Sequence, residues 1–267
     1  MECALSPTLC PDYTVDRFVE LARGAGFDRV ELFRDRTEST PVHHDFSVSM
    51  VRDFLQRQGV TLASFQIRDL TGRKADSDER NLGYNLRQLE WDIHLGRALR
   101  AERMVVCAGE KTDDTVEADL TDGLGQLAER VPQVSLNLGS RAASRVQGLA
   151  DYEQVLAGVT DSSIGVCLDT GELLGAGEDV VRVAASLATR LGIVRLQDRS
   201  GDGVVQPGRG DLPLEDLLSQ LQRGGYRGDL VVSLAVAPEG DRRQLAEEAR
   251  RRLTEVLAGL PVEEAGA

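Results

Sequence analysis

Short runs of β-branched and aliphatic residues alternate along the chain with stretches whose apolar positions recur every three or four residues. The first pattern suits strands buried on both faces, and the second suits helices with one buried stripe. Strands are expected at 2–5, 29–33, 60–67, 103–107, 134–138 and 230–236, with two more inside the stretch 164–214. Thr14 is placed to cap a helix whose Val15, Phe18, Val19 and Ala22 point inward, with Gly26 closing it. Ser47 is placed to cap the next, with Met50, Val51, Phe54 and Leu55 inward and Gly59 at its end. Leu82, Leu86, Leu89, Ile93 and Gly96 mark one face of a third helix, and further helices are expected over 116–130, 179–190 and 214–223. Leu245, Ala249, Leu253, Val256 and Leu260 give the last helix its stripe. Eight such units in 267 residues leave about 33 residues each, the size of a minimal βα repeat. The pattern therefore predicts an α/β fold, a single (β/α)8 barrel over residues 1–261, with 262–267 as a frayed tail.

Two connections exceed the usual few residues. They are 34–46 and 68–81, after the second and third strands. In a barrel both lie over the strand C-termini, where active sites are built, so they are candidate lids or substrate walls as much as plain surface loops.

Composition narrows the classes of function. Apolar residues make up 41% of the chain, enough to fill a core, and the net charge is −13. A surface of that sign repels nucleic acid and anionic membranes. No apolar run reaches the roughly 18 residues of a membrane span, and the first residues lack the pattern of a secretory leader. The expectation is a cytoplasmic protein acting on a small molecule, with neither nucleic acid nor membrane as partner and with a homodimer admitted. The cysteines Cys3, Cys10, Cys107 and Cys167 show no C-x-x-C spacing. Three of them fall in expected strands, as small core residues do.

The stretch 164–214 carries IGVCLDTGELLGAG, IVRLQDRSGDG and VVQPGRGDLPL. It resembles the most characteristic part of the xylose-isomerase-like barrels, which include sugar isomerases, epimerases and apurinic-site endonucleases. In that family the first piece usually ends LDxGH and the second reads xHxKD. AGFDRVELF near the front is similar to the family's aGFdgvEl. The run PGRGDLPLEDLLSQLQRGGYRGDLVV is similar to its segment around the last strand. The resemblance implies the barrel fold and a catalytic divalent metal. Its ligands would be a Glu ending strand five, an Asp of strand six, a His of strand seven and a Glu of strand eight. Here those positions hold Gly139, Asp169, Arg195 and Ser233, and Glu172 stands where LDxGH has its histidine.

A divalent ion needs several oxygen or imidazole donors, and a guanidinium neither sheds its proton nor ligates. The expectation is therefore no metal and no cofactor. Only His43, His44 and His94 are present, too few for the endonuclease cluster that the resemblance would otherwise imply. Strand alternation places Glu31, Gln66, Cys107, Asn137, Asp169, Arg195, Gln197 and Ser233 in one inner cup, with Glu172 at its rim. His43 and His44 stand in the loop after strand two, as substrate contacts or as solvated residues. Asp169, Glu172 and Arg195 are the candidate catalytic set, and the others are candidate substrate contacts. Arg195 would replace the lost ion as electrostatic stabiliser, with Asp169 or Glu172 moving the proton. Three readings stay open. The first is a metal-independent isomerase, epimerase, cyclase or lyase on a small oxygenated substrate. The second is a non-catalytic barrel in which Arg195 and Asp169 fill a dead site. The third is a metal-dependent isomerase with other ligands.

Overall fold

First and last strands lie side by side, and between them the ring closes. A computed structural model describes residues 1–35, 37–42, 47–71, 80–111, 118–159, 161, 163–201, 203–235 and 241–261. Its elements are β1 (Glu2–Leu5), α1 (Val15–Gly24), β2 (Arg29–Phe33), α2 (Val48–Gln58), β3 (Thr61–Gln66), α3 (Arg80–Ala98) and β4 (Arg103–Cys107). These are followed by α4 (Ala118–Arg130), β5 (Ser135–Gly139), α5 (Leu149–Ala157), β6 (Ile164–Asp169), α6 (Thr170–Gly175), α7 (Val180–Ser186) and β7 (Leu191–Leu196). A hairpin of β8 (Asp198–Ser200) and β9 (Gly203–Val205) comes next, then α8 (Leu214–Arg223), β10 (Asp229–Val232) and α9 (Arg242–Gly259). Eight parallel strands form a closed barrel in the order β1-β10-β7-β6-β5-β4-β3-β2, and β8 and β9 pair antiparallel outside it. The expected (β/α)8 barrel is the fold of this chain.

Local chemistry explains the element ends. Ser47 accepts a hydrogen bond from the Met50 amide, and Gly59 ends α2 in the left-handed region at φ 63°, where glycine meets no steric cost. Thr14 precedes α1 as expected, but its hydroxyl donates to Asp16 and makes no cap to the backbone. Met50, expected inside, is 54% exposed. The buried stripe of α2 is narrower than its apolar pattern, with Val51 and Leu55 at its centre. The helix expected over 179–190 stops at Ser186 and finishes as a separate 3-10 turn over Ala188–Arg190. The eighth barrel strand is also shorter than 230–236. After Val232 the Ser233 amide turns to the Leu196 carbonyl.

Side chains alternate between two cores. The larger packs the helices against the outer barrel face and includes Phe18, Phe27, Phe65, Leu89, Met104 and Tyr152. The smaller plugs the barrel with Ala4, Ala63, Val105, Cys167, Ile193 and Val231. These side chains are small or β-branched, as a closed eight-strand ring requires. Gly192 makes room in this plug, since a Cβ there would lie 1.8 Å from Asn137 Oδ1. The plug is a floor, and the cup above it opens at the strand C-termini.

At the opposite end of the ring, Asp229 accepts from Arg29 Nε at 2.6 Å and from Arg103 Nη1 at 2.9 Å. Arg29 also reaches Glu102 at 2.7 Å. This network ties β2, β4 and β10 together beside the seam where β1 meets β2 through the register pair Leu5 and Val30. Among the described residues no helix is long and apolar enough to cross a membrane.

Candidate active site

One inward step above Ile193 on β7 stands Arg195, in register with Asp169 of β6 and Val231 of β10. Its side chain is 5% exposed, so a buried guanidinium stands at the position where the resemblance implies a histidine. Glu31 of β2 crosses the cup to meet it. Nε and Nη2 of Arg195 both donate to Glu31 Oε1, at 3.0 and 2.6 Å. Ser64 Oγ donates to the same oxygen at 2.8 Å. A shift of register between Val30 and Glu31 sets Glu31 beside Ser64 and leaves Ala63 as the extra residue, so both Glu31 and Ser64 turn inward. The Phe33 ring lies 5.5 Å from the guanidinium carbon, within cation–π range.

The ion pair of Arg195 with Asp169, part of the disused-site reading, is present, and the structure adds Glu31 as the hydrogen-bonded partner. Asp169 Oδ2 lies 3.8 Å from Nη1, close enough for charge attraction and too far for a hydrogen bond. The principal ion pair is Glu31 with Arg195, because the curved wall brings β2 opposite β7. Asp169 instead caps α6, accepting from the Glu172 amide at 3.3 Å. Burial pushes its acidity up to about 6 against the opposing pull of Arg195. Its side chain keeps 13% exposure, so a proton can pass between it and the mouth.

Glu172, expected at the rim, is half-buried, and its Oε2 accepts from the Ala142 amide at 2.7 Å. That contact fastens the loop after β5 to α6. Gln197 and Ser233 do converge, with Gln197 Nε2 donating to Ser233 Oγ at 3.4 Å, and Thr8 Oγ1 lies 3.2 Å from the same hydroxyl. Gln66 Nε2 points to Cys107 Sγ at 3.8 Å. Asn137, expected in the cup, lies at floor level instead. It is one inward step below Gly139, and its amide donates to the Met104 and Ser135 carbonyls at 3.2 and 3.3 Å. His43 and His44 fall outside the described residues. His94 is exposed on α3, 4.0 Å from Glu90.

The cup also holds groups the alternation argument passed over. Ser64 follows from the same parity as Gln66, and Ser6 from that of Ala4. Both are fully buried. Ser6 Oγ, Gln66 Oε1 and Glu31 Oε2 are buried without a hydrogen-bond partner among the described residues. Orphaned acceptors in a dry site carry a cost unless something meets them, which is how a polar ligand site differs from a packed core. Cys167 is no nucleophile, because burial pushes its thiol far up.

The donor set does not suit a divalent ion at the family position. Gly139 offers no side-chain ligand, Arg195 offers a cation, and Ser233 offers a hydroxyl already engaged by Gln197. Asp169 is the one carboxylate left there. Among the described residues no group of three or more His, Cys, Asp or Glu is arranged to hold a metal.

Asp198, which follows the cup-facing Gln197, does different work. It is fully buried, and its carboxylate accepts from five backbone amides. Arg199 and Leu212 donate to Oδ1 at 2.7 and 2.8 Å, and Gly208, Arg209 and Gly210 to Oδ2 at 2.8 to 3.0 Å. The GRGDL turn is thus wrapped around one side chain.

A closed βα barrel with a charged cup at its C-terminal mouth defines the class. The chain belongs to the xylose isomerase-like TIM barrel family, whose model matches residues 19–256. A xylose isomerase domain protein from Alicyclobacillus acidocaldarius superposes with a TM-score of 0.77 at 22% identity, covering 97% of this chain and 98% of that one. An L-ribulose 3-epimerase superposes with a TM-score of 0.79 at 18% identity, covering 97% and 95%. At these identities the likeness is one of fold. A Streptomyces coelicolor protein named "Putative hydroxypyruvate isomerase" is 43% identical over 61 residues, which span 23% of this chain and 21% of that relative.

Proposed function

We propose that the protein is an isomerase or epimerase of small α-hydroxy carbonyl compounds that works without a divalent ion. The observation that carries the reading is the pairing of a fixed buried cation with a carboxylate of near-neutral acidity. Among the described residues Arg195 Nη1 makes no hydrogen bond, and it faces Asp169 at 3.8 Å. Glu31, itself held by Ser64, fixes the other edge of the guanidinium. A substrate carbonyl oxygen seated on Nη1 gains charge as Asp169 removes the proton from the adjacent carbon. The guanidinium stabilises that oxygen in a site where water is scarce. Returning the proton to the former carbonyl carbon, while the hydroxyl proton passes from one substrate oxygen to the other, isomerises the substrate. Epimerisation needs a second acid to protonate the original carbon from the opposite face while Asp169 keeps the proton it removed. A carboxyl with a pKa of about 6 is suited to both accept and give back a proton near neutral pH. The family, and neighbours described as epimerases, support this class of reaction.

One observation favours a second reading. Glu31 and Arg195 satisfy each other well enough to fill a disused metal site, and the barrel would then bind a ligand without turning it over. Deuterium uptake from heavy water into three- to six-carbon hydroxy ketones and aldehydes separates the two, since it records proton abstraction whatever the product. The chelated wild-type protein should exchange. Arg195→Lys keeps the charge but loses the planar fork, and should fall by about 10²–10³. Loss of exchange on chelation, with recovery on adding a divalent ion, would overturn the metal-independent part. No exchange, with a Glu31→Leu/Arg195→Leu double variant as stable as the parent, would favour the disused site.

A further inference from the structure

Beside the cup, a cavity of about 220 Å³ is lined by Arg34, Asp35, Gln66, Ile67, Arg68, Asp69 and Arg141. Three guanidiniums and two carboxylates leave one positive charge on this small wall, which Asp92 behind it offsets, but the hydrogen bonds separate donors from acceptors. Asp35 accepts from both Arg34 and Arg68, and Asp69 accepts the two Nη groups of Arg141. Asp92, behind the wall and 3% exposed, accepts from Arg34 Nε and from the Arg68 amide. The acceptors are therefore occupied. Arg34 keeps Nη2, Arg68 keeps both Nη groups and Arg141 keeps Nε, with no hydrogen bond among the described residues. What the cavity still offers on this wall is an array of charged donors. Gln66 lines the cavity and belongs to the cup, and its buried Oε1 is unpartnered.

We infer that this cavity seats an acidic head group, a carboxylate or a phosphate, of a small hydroxylated substrate. This rests on the reading of the cup as a ligand site. Guanidiniums are the side chains whose flat, multi-donor edge matches such oxyanions. The hydroxyl next to the head group donates to Gln66 Oε1, and the rest of the molecule enters the cup toward Glu31, Asp169 and Arg195. The substrate is on this account a hydroxy acid or a hydroxyalkyl phosphate, and a neutral polyol of the same length lacks the group that fills the arginine wall.

Calorimetry with glycerate, glycerol 3-phosphate and glycerol tests this on the intact protein without reference to turnover. At least one of the two acids should bind about tenfold or more tightly than glycerol, and its affinity should fall with added salt. The tighter acid tells carboxylate from phosphate. Arg68→Gln with Arg141→Gln should weaken the acid about tenfold or more and leave glycerol unchanged. Arg68→Gln alone, at a side chain 30% exposed, should give a smaller loss in the same direction if the double variant folds poorly. Glycerol binding as tightly as both acids, no heat from either acid, or acids indifferent to Arg68 would overturn the inference. Deuterium exchange of a neutral hydroxy ketone with no acid binding would sink this subsite alone. Acid binding without exchange would sink the catalytic reading alone.

Discussion

Asp169 is buried beside Arg195 at 3.8 Å without a hydrogen bond to it, so its ionised form should cost the fold stability. Burial raises its acidity from the ordinary aspartate range to about 6, with Arg195 pulling the other way. Below about pH 4 the group is protonated both folded and unfolded and contributes nothing. Between pH 4 and 6 the folded chain holds a proton that the unfolded chain has released, so stability falls as pH rises. Above pH 6 the full penalty remains, on the order of 2–3 kcal/mol. Asp169→Asn should therefore melt higher than the parent at pH 7, by about 1–2 kcal/mol, with the gap closing toward pH 4. The same variant should lose deuterium exchange. Thermal melts across pH 4–7.5 check the first claim, and a parent curve parallel to that of the variant would refute the assigned acidity. In the parent, exchange should rise with pH around an apparent value near 6, the signature of Asp169 acting as base. A residue that costs stability and supports turnover is retained for chemistry.

At the scale of elements, Asp198 turns the β8–β9 hairpin and the GRGDL turn into one unit. Asp198→Ala removes an acceptor from five amides at once, the Leu212 bond buried and the other four part-buried. Stability should drop by at least about 3 kcal/mol. Hydrogen exchange at Gly208, Arg209, Gly210 and Leu212 should quicken at least about tenfold, while the β1–β4 amides stay protected. Unchanged exchange at those four amides would show that the turn is held by something else. This wrapping was not legible from residues 198–212, because the five donors are backbone groups and carry no sequence signature. The cup was largely legible, because strand parity is a property of neighbours two apart. Gln66, Cys107, Asp169, Arg195, Gln197 and Ser233 all face the interior as parity demands. Asn137 shares that parity but sits a level lower, since parity fixes the face of a strand and not the height along it. The short α6 escaped because the six residues of TGELLG are too few to show a helical period. The partner of Arg195 escaped for a different reason. Sequence gives Asp169 as a register neighbour on the preceding strand, whereas Glu31 comes across the cup only when the sheet curls shut.

For the whole molecule, the ring is tightened at its lower end by Asp229, 2% exposed and shared by Arg29 and Arg103. Asp229→Ala removes the carboxylate that Arg29 and Arg103 share and leaves both on Glu102, and it should cost about 1–3 kcal/mol, read as a lower midpoint in urea. Asp229→Asn should cost less, since it keeps one acceptor, and a midpoint unchanged in both variants would make the network decorative. The buried pair in the cup has a further bearing on how the chain reaches this shape. Glu31 and Arg195 are 164 residues apart in sequence. A newly made front half of the chain can bury its outer apolar faces against α1 to α3, but it cannot dehydrate Glu31 without the cation that arrives much later. Burying Glu31 ahead of β7 leaves its carboxylate uncompensated, so sealing of the cup is expected to follow the docking of β7. Exchanging one of the pair without the other leaves a buried charge uncompensated, so a change at either position should cost the fold about 3–5 kcal/mol as well as altering the cup.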